Sequence, residues 1–393
     1  MNRLILLLAL VALCSCKDKA RRAAPASDAA RAAARVDAGN LSVDAATIAT
    51  PAQLAAAIDA ALVRGQAYLL AQQGADGAWR SDSYAPFRAG YALTPLALAA
   101  LRFSPGMNAT DPRYLRGVEF VTSVMDGKSL RTDMMIDYPN YVLALSIIVL
   151  STPGNGAHRA VRDAMVELLR ARQFSAANGW KPDDVSYGSW SYVPMHPTRP
   201  AELHPDSPLA GNLSMTLYAA GALVLAGVPT DDPAIVAARA FVRRCQNATV
   251  YPKSPQVGDG GFVFSPGLPD SNKAGAGAQP TGFASYGSMT ADGLRALIRL
   301  GEADQRRRAA ALAWLDANFD PEHNPGEFAP IAEVRRDSSY YYWTWSVAHA
   351  LRDAGVTEVH RERAPVAWAP ALANALLARQ RADGSWQNPT SEM

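Results

Sequence analysis

The chain has 393 residues, 49% of them hydrophobic and 19% charged, with a formal net charge of +2. Those values describe a globular protein with a sizeable core and exclude an intrinsically disordered chain. A near-balanced charge leaves no electrostatic footprint for nucleic acid, and the one dense basic run, RRR at 306–308, reads as the solvated start of a helix.

The first element in chain order is a targeting segment. Arg3 supplies a positive charge, residues 4–13 form an apolar run, and LCSC follows at 13–16. The run is too short for a membrane-spanning helix, which takes about 20 residues. A charged start, a short apolar core and a small residue before the cut describe a secretory signal peptide. LCSC resembles the lipobox of bacterial lipoproteins. That resemblance implies removal of residues 1–15 and a diacylglyceryl group on Cys16, so that the bilayer is the expected partner. The expected location is the cell envelope, extracytoplasmic, on the periplasmic face or the cell surface. An ordinary signal peptide cut nearby, leaving a bare thiol, is the alternative. Residues 16–50, rich in Ala, Arg and Asp, then form a flexible tether. With Cys14 removed and Cys16 lipidated, Cys245 stands alone, and neither a disulfide framework nor a structural zinc spacing remains.

From residue 51 to 393 the pattern is one of helices in pairs. Leu54 to Gln73 is followed by YALTPLALAALRF at 91–103, RYLRGVEFVTSVM by YPNYVLALSIIVL, and HRAVRDAMVELLRARQ by NLSMTLYAAGALVLAG. PAIVAARAFVRRCQ precedes SMTADGLRALIRLG, RRRAAALAWLDANF precedes YYYWTWSVAHALRDAG, and a half-unit at 369–386 closes the series. The first helix of most pairs is amphipathic and must meet solvent, whereas the second is apolar all round and must be enclosed. Helices alternating outer and inner predict an all-α fold, an α/α toroid of about six helical hairpins.

A turn recurs at both ends of this domain: QQGADGAW at 72–79 and RQRADGSW at 379–386. Gly permits a tight reversal, Gln bonds helix-end groups, and Trp packs over a neighbouring helix. RGQAYLLAQQGADGAW at 64–79 resembles the QW repeat of the prenyltransferase and squalene cyclase superfamily. Looser forms are RQFSAANGW at 172–180 and Cys245-Gln246 followed by GDGGF at 258–262. The resemblance spans about residues 52–388. It implies the α/α toroid fold, but the family's catalytic signatures are missing. There is no D-x-D-D acid motif, no D-D-x-x-D diphosphate site and no Asp/Cys/His zinc set, and KPDD (181–184) and PTDD (229–232) read as loop or helix-cap aspartates. No cofactor and no metal are expected.

Polar and aromatic residues at the starts of the inner helices are expected to ring a pocket: Tyr91, Asn212, Ser214, Tyr286, Ser288, Thr290, Tyr340 and Tyr341, with Tyr138, Tyr141 and Trp345 near them. Capping and core plugging are the alternative roles. Asp292 and His349, ionisable residues within inner helices, are the candidate catalytic groups. The Pro-rich insertion at 187–208 gathers His196, Glu202, His204 and Asp206 and reads as a rim lid in preference to a metal site. The stretch 252–282 reads as a second rim loop. Two function classes follow: a ligand-binding or scaffold protein holding an apolar or glycan ligand, and a divergent toroid enzyme, either a terpenoid-type cyclase or a carbohydrate-active lyase or hydrolase.

Overall fold

The computed structural model describes residues 50–81, 87–102, 104–133, 136, 138–203, 209–248, 258–268, 271–361 and 364–388. The signal segment, Cys16 and the tether lie outside them. Among the described residues twelve α-helices carry the fold, so the protein is all-α. They are α1 (Pro51–Ala71), α2 (Leu93–Arg102), α3 (Pro112–Thr122), α4 (Pro139–Leu150), α5 (Arg159–Ala171), α6 (Leu213–Leu225), α7 (Pro233–Arg244), α8 (Gly287–Arg299), α9 (Gln305–Asn318), α10 (Glu333–Ser338), α11 (Tyr340–Asp353) and α12 (Trp368–Ala378). Two antiparallel hairpins accompany them: β1 (Met125–Asp126) with β2 (Ser129–Leu130), and β3 (Glu358–Arg361) with β4 (Ala364–Ala367). The short α10 and both hairpins fall in stretches that carry no periodic signal.

Two kinds of helix result from the two hydrophobic patterns. Helices α2, α4, α6, α8 and α11 pack against one another in that order, while α3, α5, α7 and α9 lie against α2, α4, α6 and α8 respectively. The enclosed α8 buries eleven of its thirteen residues, Asp292 and Arg295 included, whereas the amphipathic α5 buries three of thirteen, Met165, Val166 and Leu169. At the far end α12 packs on α1. Asp caps start three of the outer helices: Asp111, Asp232 and Asp304 accept the backbone N–H of Arg113, Ala234 and Arg306. Pro112 and Pro233, which have no N–H to satisfy, occupy the first turn. Thr50 and Gln53 form a reciprocal capping box on α1.

The recurring turn is the joint between successive outer helices. Gln73, Gln173, Gln246 and Gln380 follow α1, α5, α7 and α12. Each donates through Nε2 to a turn glycine carbonyl and to a carbonyl of another outer helix. The acceptor pairs are Gly77 and Arg113, Gly188 and Ala234, Gly260 and Arg307, and Gly384 and Ala61, all at 2.8–3.1 Å. Those four glycines have φ of 87°, 88°, 84° and 87°, in the left-handed region. A Cβ on any of them would sit 2.1–2.7 Å from the carbonyl oxygen of Arg116, Ala237, Ala310 or Arg64, so the turn excludes every other residue twice over. Two residues later comes a buried ring: Trp79, Trp190, Phe262 or Trp386. The three indoles donate to the carbonyls of Leu69, Leu169 and Leu376 at 2.7–2.8 Å.

One assignment from the sequence needs correction. The unit after Gln173 takes its ring from Trp190, not Trp180. Gln173 and Gly188 lie fifteen residues apart where Gln73 and Gly77 lie four apart, and the extra residues loop out. Trp180 stacks on Phe174 at 4.5 Å and donates to the Pro197 carbonyl at 2.5 Å.

Candidate functional site

Within the buried helices a few side chains keep exposed surface. Besides the last-turn residues Arg102, Val224, Leu225, Ile298, Arg352 and Asp353, they are Leu96 and Ala99 on α2, Tyr141 and Ile148 on α4, Tyr218 and Gly221 on α6, Arg299 on α8, and Tyr342, Trp345 and His349 on α11. Their spacing of three, four or seven along each helix puts them on one face. Burial is nonetheless the first cause of the acid–base shifts at Tyr141, Tyr218, Arg299, Tyr342 and His349. Part-accessible surface on residues whose titration burial governs is the surface a ligand cavity between these helices would present, and it marks this face as the candidate site.

One wall is aromatic and hydroxylic. Ser214 Oγ lies 2.8 Å from both the Tyr141 and the Tyr342 hydroxyls, and Tyr342 donates onward to Asp292 Oδ2 at 2.5 Å. Tyr218 stacks on Trp345 with ring centroids 5.8 Å apart, and Trp345 meets His349 at 4.9 Å. The insertion supplies Tyr192, which stacks on Tyr141 at 5.4 Å, and the second rim loop adds Phe264 at 5.9 Å from Tyr192. Arg172 holds the insertion in place, donating to Asn140 Oδ1 at 2.6 Å and to the carbonyls of Val193, Pro194 and Met195 at 2.9–3.3 Å. Burial lifts the Tyr141 hydroxyl to about 12 and those of Tyr192, Tyr218 and Tyr342 well above their usual value, so all four are neutral donors at neutral pH.

Charge enters along α8 and α11. Asp292 is fully buried and accepts from Arg295 at 3.0 Å, from Tyr342 and from Ser346. Burial raises its pKa, against the opposing pull of Arg295 and the two hydroxyls. The Arg295 guanidinium also covers the Trp345 ring at 4.2 Å. One turn further, Arg299 lies 3.7 Å from Asp353, and burial beside Arg295 lowers its pKa to about 10. Burial and the three arginines 295, 352 and 299 hold His349 far below the usual imidazole value. Arg352 donates to its Nδ1 at 3.1 Å, which leaves the neutral ring with its proton on Nε2.

Gly221 bears on the cavity's shape. It lies in the body of α6, where glycine costs about 1 kcal/mol relative to alanine. A Cβ there would meet a single neighbour, Arg299 Nη1 at 3.8 Å. Packing therefore does not require the glycine, and its absent side chain leaves room beside Arg299.

Of the residues expected at or near the pocket, Ser214 and Tyr141 join the hydroxyl network, Trp345 lies on the aromatic wall, and Asp292 and His349 lie along its charged side. The remaining ones make contacts of other kinds. Tyr91 stacks on Phe120 at 5.0 Å, Asn212 caps α6 through the Met215 N–H, and Tyr286 is fully buried at the start of α8. Ser288 pairs with Asn324, and Thr290 accepts the Phe262 N–H at 3.0 Å. Tyr340 donates to the Pro321 carbonyl and Tyr341 to that of Gln387. His196 bonds Thr198, while His204 and Asp206 lie outside the described residues. Sequence reasoning missed Tyr192, Tyr218, Gly221, Arg295, Arg299 and Arg352. The signal available was the helical spacing of Asp292, Arg295 and Arg299 against Tyr342, Trp345, His349 and Arg352. The lone Cys245 is buried behind α7, where burial pushes its thiol pKa up.

No family profile and no curated protein matches the chain. Among solved structures it is similar to a crystal structure of a protein from Actinoplanes, at 17% identity over 84% of this chain and 82% of that one, with a TM-score of 0.46. A likeness at that level carries no functional argument.

Proposed function

We propose that the chain is a lipoprotein anchored through an acylated Cys16 to a membrane of the cell envelope. In this reading its helices close into an α/α toroid resembling those of the squalene cyclases, and its role is to bind an apolar or glycan ligand. Closure is supported by the pairing of α12 with α1, where Gln380 reaches Ala61 by the same bonds that join the other units. The observation that carries the binding role is the part-accessible aromatic wall of Tyr141, Tyr192, Tyr218, Tyr342 and Trp345, with Leu96, Ala99 and Ile148 the half-buried apolar residues of the neighbouring enclosed helices. Flat rings with neutral hydroxyls suit hydrocarbon or the faces of sugar rings. One observation favours a second reading as an enzyme: the raised pKa of Asp292 among aromatic rings. Against it, both carboxylate oxygens are already engaged and the D-x-D-D motif is absent.

The test is a lipid and oligosaccharide binding screen on the full chain. A genuine cavity ligand loses about tenfold or more in affinity in Tyr218→Ala and Trp345→Ala, about 1.4 kcal/mol each. Hits whose affinity is untouched by both substitutions count against the cavity. Turnover of a bound hit that stops in Asp292→Asn, with binding retained, would favour the enzyme.

A further inference from the structure

We infer that the end of the cavity where α8 and α11 terminate receives the anionic group of a singly charged amphipathic ligand, whose apolar body lies against Tyr218 and Trp345. This deepens the binding role proposed above and rests on it.

The charge distribution carries the inference. From α8 come Asp292, Arg295 and Arg299, and from α11 come His349, Arg352 and Asp353. Three arginines thus meet two aspartates around a neutral histidine. Asp292 is closed off by Arg295, Tyr342 and Ser346, and Asp353 is gripped by Arg352 at 2.6 Å. Arg299 has only the looser 3.7 Å approach to Asp353. Arg299 is therefore left without a close protein counter-ion; its side chain is about one third accessible, so a ligand can reach it, while burial lowers its pKa and makes a monoanion beside it favourable.

The geometry gives that anion donors and space. Arg299 Nη1 points toward Gly221, whose missing side chain leaves the adjoining volume open. His349 accepts from Arg352 at Nδ1, and its Nε2–H has no protein acceptor among the described residues. A planar guanidinium, close enough to His349 for its charge to depress the imidazole pKa, and a free imidazole N–H suit a carboxylate, a sulfonate or a phosphate monoester. Tyr218 is one turn of α6 before Gly221, and Trp345 is one turn of α11 before His349, so the apolar surface begins where the charged surface ends.

Two dyes with one aromatic skeleton separate the contributions: N-phenyl-1-naphthylamine, which is neutral, and 1-anilinonaphthalene-8-sulfonate. Each is titrated by fluorescence into the full-length chain carrying Cys16→Ser, and into the same chain with Arg299→Gln or Arg299→Lys. The sulfonate should bind about tenfold or more tightly than the neutral dye. Arg299→Gln should abolish that difference and leave the neutral dye unchanged, and Arg299→Lys should restore most of it. Laurate should displace the sulfonate dye at concentrations where dodecanol and inorganic phosphate do not. Equal binding of the two dyes, or a loss in Arg299→Gln that is the same for both, overturns the anion site while leaving the apolar cavity standing. Displacement by inorganic phosphate as effective as by laurate overturns the amphipathic half of the inference. Failure of either dye to bind sinks the cavity itself.

Discussion

His349 shows how a single side chain ties the cavity to a measurable property. Its folded-state pKa is depressed, so below about pH 6.5 the unfolded chain takes up a proton that the folded protein refuses. The stability it permits is present above that pH and is lost as the pH falls, by up to about 1.4 kcal/mol per pH unit. Denaturant midpoints measured from pH 7 to pH 5 should therefore fall more steeply for the parent than for His349→Gln. Parallel curves would place His349 in contact with bulk solvent. The raised pKa of Asp292 acts with the opposite sign, which makes the difference between parent and variant the informative quantity. At this scale the sequence was legible where a residue type has few structural uses. A histidine and an aspartate inside apolar helices pointed to the charged wall, whereas Tyr286 and Thr290, on the same pattern, serve the core and a loop amide. Helical periodicity ranks residues by face but does not say which buried face meets empty space.

The repeated turn is the element that organises the fold. Its glutamine and glycine were readable at 72–79 and 379–386 because four residues separate them. Loop insertions lengthen the spacing to fourteen at Gln246, where GDGGF at 258–262 still marks the turn, and to fifteen at Gln173, where Trp180 took the place of Trp190 in the sequence reading. Local spacing encodes the turn only while the turn stays local. Gly384→Ala should be strongly destabilising, since it combines a φ of 87° with a Cβ placed 2.5 Å from the Arg64 carbonyl oxygen. Trp79→Ala and Trp386→Ala should each cost about 3 to 5 kcal/mol, from the lost transfer energy and the cavity left behind. Thermal or denaturant unfolding reads all three. If the Trp variants melt like the parent yet lose binding, the turn is a site instead of a joint.

For the whole molecule, the helical class and the alternation of enclosed and solvent-facing helices were legible from hydrophobic pattern alone. The cavity was not, because a lumen is defined by what several helices leave unfilled. Two interventions act at this scale. Replacing Cys16 by Ser should release the protein to the soluble fraction, and unchanged membrane retention would remove the lipoprotein reading. Truncation before Ala371 should expose the face of α1 that carries Ile58, Leu62 and Leu69 and cost solubility. A truncated chain that stays monomeric with full helicity would argue against closure.

An open ligand cavity within the helices is tested most directly by Gly221→Leu. Leucine is a better helix former than glycine by nearly 1 kcal/mol, and the first carbon of its side chain meets only Arg299 Nη1, at 3.8 Å. With a cavity there, the variant melts at or above the parent temperature and binds N-phenyl-1-naphthylamine at least about tenfold more weakly. Undiminished binding in a fully folded Gly221→Leu protein would contradict the open cavity.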